Sequence, residues 1–212
     1  MERKAFNISL SKNPLISIKV IPGHFTTSNI HISHYLDMSR LKSNSQIARD
    51  VGREMAIPYL SSTIVNTIVC MESTVVIGAY LAQELFEYGP SVVNSGGDIH
   101  VVAPLSNING KLIFQESSLG WISNQNIILL VASISSSRTV NSALECLEYY
   151  GGRVVGISAL FVATPNTRKV NALFTAGDIP DYRMFSPGEC EICKAGQKLD
   201  AIISSEGYTK IK

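Results

Sequence analysis

Charge is scarce in this sequence, and the two signs nearly cancel. Charged residues make up 17% of the 212 residues, and 18 lysines and arginines stand against 17 acidic residues, which leaves a formal net charge of +1. Proteins whose main partner is nucleic acid carry a basic face that attracts the phosphate backbone. The near-neutral balance gives no electrostatic reason for such a partner, and we predict no binding to nucleic acid.

Long hydrophobic runs are also missing. The longest, residues 127–132 and 154–162, are far shorter than the roughly 20 apolar residues that a membrane-spanning helix needs. The first residues, Met1-Glu-Arg-Lys-Ala-Phe6, lack the apolar stretch and small-residue cleavage site of a signal peptide. These absences predict no membrane partner and a cytoplasmic location.

Cysteine is sparse as well, with four in the whole chain. That number does not make a disulfide framework in a chain of this length, which favours a reducing compartment. Cys190 and Cys193 have the spacing of half a zinc site, but two thiolates are not four ligands. The other two cysteines, Cys70 and Cys146, fall on a predicted strand end and a predicted helix, so the sequence offers no obvious second pair.

Three histidines, His24, His31 and His34, lie close together near the N-terminus. Such a group suggests a metal, yet their segment has the pattern of a pocket-lining loop followed by a strand. We therefore predict no metal site and interpret Cys190-x-x-Cys193 as a local turn with free thiols. Redox chemistry and intermolecular zinc binding stay open as alternatives for that pair.

Hydrophobic residues make up 45% of the chain, enough for one good-sized core. Strands and helices alternate along the middle of the chain, which predicts a single α/β domain with a mainly parallel sheet and helices on both faces. Ser45 is the expected cap of the first long helix, and a hairpin is expected around Asn109-Gly110 within a polar flap over residues 104–126. The predicted strands are 67–70, 91–94, 99–103, 126–132 and 153–161, and the predicted helices are 45–57, 75–88 and 139–150.

The most distinctive segment is a polar loop between an apolar strand and a helix. It reads Ser135-Ser136-Ser137-Arg138-Thr139, and backbone N–H groups at a helix start attract anions. The loop is a candidate phosphate cradle in which Arg138 pairs with the anion. The same serines and threonine are also ordinary helix caps, so the residues alone leave both interpretations open.

Three stretches resemble the type I phosphoribosyltransferase family, closest to its orotate phosphoribosyltransferases. Residues 126–160 are similar to the family's signature region, in which an apolar strand, a Thr/Ser/Gly loop, a helix and a second strand follow one another. Residues 23–37, with Gly23-His-Phe25 before a Tyr-containing strand, are similar to the N-terminal segment of orotate enzymes. Pro187-Gly-Glu-Cys-Glu-Ile-Cys-Lys-Ala-Gly196 is similar to the C-terminal segment of some bacterial members.

The resemblance implies a Rossmann-like central parallel sheet flanked by helices, with a small hood from the terminal segments. The whole chain, 1–212, would be one phosphoribosyltransferase-like domain, with hood segments at about 1–40 and 180–212 and a core at about 45–178. It also implies a phosphorylated small-molecule ligand, phosphoribosyl pyrophosphate or a nucleotide, with Mg²⁺ as cofactor if the protein is active and otherwise none, and a homodimer.

Site residues follow from the same resemblance. The implied phosphate site is Ser135, Ser136, Ser137, Arg138 and Thr139, and the implied pyrophosphate loop is Glu72, Ser73 and Thr74. The implied base pocket is Phe25, Thr27 and Ser28, and the flap contributes Lys111. No catalytic residue is assigned.

The sequence departs from the family where the chemistry needs charge. The acidic pair before the phosphate loop is replaced by Ala132-Ser133, so we expect no charged hydrogen bonds to ribose hydroxyls there. Residues 101–107, at the start of the flap and just before it, contain no cation, and Lys111 is the only one between them and Trp121. Thr27 stands where orotate enzymes have a lysine. Several missing charged hydrogen bonds, each worth roughly 1.5–3 kcal/mol, would slow the reaction by many decades.

Competing functions therefore stay open. One is a protein that binds phosphoribosyl pyrophosphate or a nucleotide 5-phosphate and transfers phosphoribose to a nucleobase. Another is a catalytically inactive homologue that acts as a ligand sensor or a regulatory, partner-binding protein. A transferase acting on an unusual phosphorylated substrate is a third.

Overall fold

The computed structural model describes residues 4–87, 92–106, 112–164, 169–204 and 207–211. Two compact units are present. Unit 1 combines both ends of the chain, Met1–Leu41 and Ala176–Lys212, and unit 2 is Lys42–Thr175. Each unit has its own main sheet.

The helices and strands follow one another in this order. The strands are β1 (Phe6–Leu10), β2 (Asn13–Thr26), β3 (His31–Asp37), β4 (Thr67–Cys70), β5 (His100–Val102), β6 (Leu105–Ser106), β7 (Leu112–Ile113), β8 (Asn126–Ile134), β9 (Arg153–Val162), β10 (Asn171–Thr175), β11 (Met184–Phe185), β12 (Ala201–Ser204) and β13 (Gly207–Lys210). The helices are α1 (Ser39–Ser43), α2 (Ser45–Ala56), α3 (Val75–Phe86), α4 (Ser137–Tyr149) and α5 (Glu191–Lys194).

The main sheet of unit 2 is parallel throughout, in the order β10-β9-β8-β4-β5, and β6 and β7 form a separate antiparallel pair. Its central strand, β8, is apolar along nearly its whole length, as strands covered on both faces are. Alternate side chains of β8 point to opposite faces, and Ile127, Leu129 and Val131 join one core cluster together with Val140 and Leu147 of α4. The prediction of a central parallel sheet is confirmed.

Helices α2 and α3 pack together beside the same sheet. On α2, Ile47, Val51 and Met55 are buried at four-residue spacing, as the sequence predicts. A Cβ atom at Gly52 would lie 2.8 Å from the backbone nitrogen of Leu81, so glycine is what allows the two helices to approach this closely. Cys70 lies beside Gly78 of α3, which places this helix pair on the face of the sheet that α4 does not cover.

The sheet of unit 1 is mixed and contains six strands. The antiparallel hairpin of β2 and β3 is its centre, and β12 joins β2 in parallel at Ala201↔Phe25. Phe25, Ile21, Ile32 and Ala201 form a small buried core on one face of this sheet. The two terminal segments thus form a compact unit with a sheet of its own.

Several predicted boundaries are corrected. The cap of α2 is Asn44 and not Ser45, because the Asn44 side chain accepts the N–H of Ile47. The predicted strand 91–94 is absent over the described residues 92–94. Asn94 instead lies in a turn, where its amide accepts from Val65 N–H at 2.8 Å and donates to the Thr63 carbonyl at 2.8 Å.

Other boundaries shift by a few residues. Helix α3 ends at Phe86 rather than at Tyr88, which lies outside the described residues, and α4 begins two residues before Thr139. Antiparallel strands β6 and β7 flank the predicted hairpin, whose turn, Asn109-Gly110, is also outside the described ranges. None of the helices over the described ranges has the length and apolarity needed to cross a membrane.

Candidate functional site

The serine loop lies at the carboxyl edge of the unit 2 sheet. It connects the end of β8 to the start of α4, with Ser135 and Ser136 in a bend and Ser137, Arg138 and Thr139 in the first helical turn. The side chains of Ser137 and Thr139 are outside what the structure describes. Ligands of open parallel sheets bind at this edge, because loops and helix N-termini converge there.

The starts of α4 and α2 differ in whether the N-cap side chain accepts a hydrogen bond from the backbone of the first turn. Ser136 is the N-cap of α4, with extended φ of −144° and ψ of 159°, but its side chain makes no capping hydrogen bond. Asn44, in contrast, uses its side chain to cap α2. The first amides of any helix lack intrahelical partners and carry partial positive charge. At α4 the N-cap side chain does not occupy them, which leaves them for an anion.

Arg138 adds a full positive charge to the same turn. Its side chain is exposed, and within the described part of the chain it has no ion-pair partner. A guanidinium group in this position can bind a phosphate through two parallel hydrogen bonds. The serine loop therefore offers both backbone and side-chain donors to an anion.

Glu72 reaches into the same edge of the sheet from the loop after β4. Its carboxylate atom Oε2 accepts the backbone N–H groups of Ala132 at 3.0 Å and Ser133 at 2.9 Å. Lys42 Nζ donates to the backbone carbonyl of Glu72 at 3.2 Å. Glu72 thus brings a carboxylate to the two residues, Ala132 and Ser133, that stand where the family has its acidic pair.

The loop that carries Glu72 has an unusual backbone. Glu72 and the exposed Ser73 have φ of 53° and 62°, in the left-handed region that residues with a Cβ atom rarely adopt. Such conformations cost of order 1–3 kcal/mol each and cluster at functional sites. Thr74, which is fully buried, donates from Oγ1 to the Met71 carbonyl at 2.8 Å and holds the end of the loop.

Burial raises the pKa of Glu72 more than its contacts lower it. The two amide hydrogen bonds and the charge of Lys42 favour the ionised form, but loss of hydration is the largest cause. Cys70, at the end of β4, is also buried, and burial raises its pKa to about 12. Its thiol is therefore not a reactive nucleophile.

The residues expected to form the base pocket lie in unit 1. Phe25 is fully buried in the small core of that unit and is tilted against Tyr35, with ring centroids 6.1 Å apart. Thr27 stabilises the turn between β2 and β3, because its Oγ1 accepts the N–H of Ile30 at 3.2 Å. Ser28 is exposed in that turn. The assignment of these three residues to a base stays a prediction.

The flap gives little to the site over its described part. The described flap residues, 104–106 and 112–126, contain no lysine or arginine, and Lys111 lies outside the described residues. His100 stacks on Trp121, with ring centroids 4.7 Å apart and an interplanar angle of 16°. The described portion of the flap therefore carries no group that could neutralise a departing pyrophosphate.

A second group of reactive side chains lies in unit 1, and the sequence did not predict that its members come together. His24, His31, Cys190 and Cys193 each offer one ligand atom, and these atoms all lie within 4.8 Å of one another. The sequence offered no second pair of cysteines, and the structure places two histidines beside Cys190 and Cys193 instead. The spacing of Cys190-x-x-Cys193 was visible in the sequence, but its partners are more than 150 residues away.

Comparison with known proteins gives matches only at the level of structure. No protein-family model matches the sequence, and no curated protein matches it. The structure is similar to UMP synthase from Leishmania donovani, with a TM-score of 0.55 and 19% identity over 74% of this chain and 34% of that one.

Two further solved structures are similar over most of their own length. Orotate phosphoribosyltransferase from Mycobacterium tuberculosis H37Rv, in complex with Fe(III) dicitrate, matches with a TM-score of 0.51 and 13% identity over 75% of this chain and 90% of that one. A phosphoribosyltransferase from Corynebacterium diphtheriae matches with a TM-score of 0.50 and 13% identity, over 75% of this chain and 89% of that one. At such low identity the likeness establishes the fold, which is that of the type I phosphoribosyltransferases.

Proposed function

We propose that this chain is a phosphoribosyltransferase-like protein that binds the 5-phosphate of phosphoribosyl pyrophosphate or of a nucleotide through the serine loop. The observation that carries the proposal is the start of α4, whose N-cap serine makes no side-chain capping hydrogen bond. The position of this loop at the carboxyl edge of a parallel sheet supports it. The fold shared with phosphoribosyltransferases supports it as well.

The charge distribution favours a phosphate over a neutral group. The amides of α4 and the exposed guanidinium of Arg138 are donors only, and all favour an anion with several acceptor oxygens. Phosphate offers those oxygens in three directions, so that backbone and side chain can bind it together. We assign the phosphate to this turn on that basis.

Glu72 takes a different role from the one that the resemblance implied. A carboxylate repels pyrophosphate, but it accepts hydrogen bonds from hydroxyl groups. Its Oε2 atom lies against the amides of Ala132 and Ser133, which only Ile134 separates from the serine loop in sequence. We propose that Glu72 replaces the missing acidic pair and accepts hydrogen bonds from the ribose hydroxyls.

The residues at this edge do not form a ready-made Mg²⁺ site. Mg²⁺ prefers carboxylates together with substrate phosphates, and Glu72 already uses one oxygen to accept two amides. Burial also raises the pKa of Glu72, which weakens it as a ligand. Any Mg²⁺ would therefore arrive with the pyrophosphate of the ligand, and we derive no reaction step from it.

The test is a calorimetric titration of the full chain with phosphoribosyl pyrophosphate, with and without Mg²⁺. We expect saturable binding that Arg138→Ala weakens about 10- to 150-fold, because a charged hydrogen bond contributes roughly 1.5–3 kcal/mol. Arg153→Ala is the matched control. Arg153 is also exposed but lies at the start of β9, at the opposite edge of the sheet, where it donates to the Asn124 carbonyl.

Two outcomes would reject the proposal. No heat from the wild type up to millimolar ligand would remove the ligand assignment, and equal losses in both arginine variants would remove the site. If binding is found, a pyrophosphate-release assay over a panel of nucleobases then separates a transferase from a protein that only senses its ligand.

A further inference from the structure

The four side chains His24, His31, Cys190 and Cys193, which we call the Cys/His cluster, lie entirely within unit 1. His24 is in β2 and His31 begins β3. His31 pairs directly with Thr26, whose side chain points away from that of its neighbour Phe25. The pairing of β2 with β3 shifts register between Pro22 and Phe25, and there His24 Nε2 lies 3.2 Å from His31 Nδ1. The hairpin thus brings both imidazoles to the face opposite to the buried Phe25.

The two cysteines come from the other end of the chain. Cys190 precedes the short helix α5, and Cys193 lies within it, so that one turn of backbone presents both sulfur atoms to the hairpin. Cys190 is 1% exposed and His24 0%, whereas Cys193 is at the surface. The cluster is therefore buried on one side and open on the other, which gives an ion a path for entry.

The distances match one small tetrahedral ion. His24 Nε2 lies 3.2 Å from His31 Nδ1, 3.4 Å from Cys190 Sγ and 3.5 Å from Cys193 Sγ, and His31 Nδ1 lies 3.3 Å from Cys193 Sγ. Tetrahedral zinc, with bonds of about 2.0–2.1 Å to nitrogen and about 2.3 Å to sulfur, holds two nitrogens about 3.3 Å apart and nitrogen and sulfur about 3.6 Å apart. These four separations agree with those values to within about 0.3 Å, and the remaining two, from Cys190 Sγ to His31 and to Cys193, are at most 4.8 Å.

Hydrogen bonds alone do not account for this arrangement. His24 Nδ1 lies 2.9 Å from the carbonyl oxygen of Gln197, which can only accept, so the proton of that nitrogen is committed there. The other nitrogen, Nε2, then carries one lone pair and can accept a single hydrogen bond. Three groups, two thiols and His31, converge on that one site. A cation at their centre satisfies all four side chains at once.

The surroundings hold the ligands as outer-shell groups do in zinc sites. The Gln197 carbonyl fixes the orientation of the His24 ring, and the backbone N–H of Cys193 points at Cys190 Sγ at 3.5 Å, which stabilises a thiolate. Asp200 Oδ2 accepts the backbone N–H of His24 at 2.7 Å. A Cβ atom at Gly23 would lie 2.8 Å from that oxygen, so glycine makes the contact possible.

We infer that the Cys/His cluster binds one Zn²⁺ ion as a structural site that ties the C-terminal segment to the N-terminal hairpin. Binding releases two thiol protons, and two thiolates with two neutral imidazoles leave the complex with no net charge, which suits its half-buried position. All four positions are filled by protein, so no open position remains for catalysis. Two sulfur and two nitrogen ligands in a tetrahedron favour zinc over the harder divalent ions.

The test measures the metal content of the purified full chain, expressed in medium containing zinc. We expect one zinc per chain in the wild type and in Cys146→Ser, and less than a tenth of that in Cys193→Ser. Cys146 is the matched control, because it is a partly buried thiol of α4 that lies outside the cluster. Cys193 is chosen over Cys190 because it is exposed, so its replacement disturbs the packing least.

A second variant keeps the proposal testable if Cys193→Ser does not fold. His31→Cys replaces one ligand by another, so zinc should be retained at one per chain. In the cobalt-substituted protein, the thiolate-to-metal absorption should rise about 1.5-fold, as three thiolates replace two. A folded wild type that holds no zinc, or zinc that survives in Cys193→Ser at the wild-type level, would overturn the inference. A metal other than zinc bound by the same residues would overturn the assignment of the ion as zinc.

Discussion

The serine loop of unit 2 and the Cys/His cluster of unit 1 are built in opposite ways. The serine loop is five consecutive residues, and its donors include backbone amides that any sequence could supply at a helix start. The Cys/His cluster uses only side chains, drawn from two segments more than 150 residues apart in the chain. The first kind of site keeps its backbone donors when a side chain changes, whereas the second is lost when any one of the four residues is replaced by one that cannot bind the metal.

The largest expected difference between the two regions is their contribution to stability. If zinc occupies the Cys/His cluster, free metal at about a thousand times its dissociation constant stabilises the folded chain by about 4 kcal/mol. Removing the metal with a chelator should lower the free energy of unfolding of the wild type by that amount and leave Cys193→Ser unchanged. Denaturant unfolding followed by circular dichroism measures both, and an unchanged wild type would contradict a structural role for the metal.

A smaller effect separates two helix starts within unit 2. Asn44→Ala removes a capping hydrogen bond from α2, so we expect a loss of about 1 kcal/mol in the free energy of unfolding. Ser136→Ala removes a side chain that makes no such bond at α4, so we expect a change within about 0.5 kcal/mol. Denaturant unfolding of the two variants makes the comparison. Equal losses would mean that Ser136 caps its helix in solution, which would weaken the case for an anion site.

The smallest effect concerns Glu72 and appears as a pH dependence. Burial raises its pKa in the folded protein, so the protonated side chain favours folding. That contribution is fully present below the pKa of the unfolded chain and is lost as the pH rises through the folded pKa. Relative to Glu72→Gln, the wild type should therefore lose stability from about pH 4.5 upward. Urea unfolding of both proteins across this range is the measurement, and parallel pH profiles would show that Glu72 is not buried as described.

Much of unit 2 was predictable because its signals are local. The apolar run of β8 and the spacing of Ile47, Val51 and Met55 depend only on neighbours along the chain, and both predictions are confirmed. The serine loop was found in the same way, since it follows a strand directly and begins a helix. The predicted strand over 91–94 is wrong because the side chain of Asn94 bonds to Thr63 and Val65, which lie about 30 residues earlier.

The sequence by itself determined the parallel sheet, the helix faces that pack on it and the position of the polar loop, because periodicity and turn chemistry act over a few residues. Only the tertiary structure decided that Glu72 reaches the amides of Ala132 and Ser133 and that His24 and His31 meet Cys190 and Cys193. Those contacts join segments that are distant in sequence. The residues of one segment do not indicate which distant segment the folded chain places beside it.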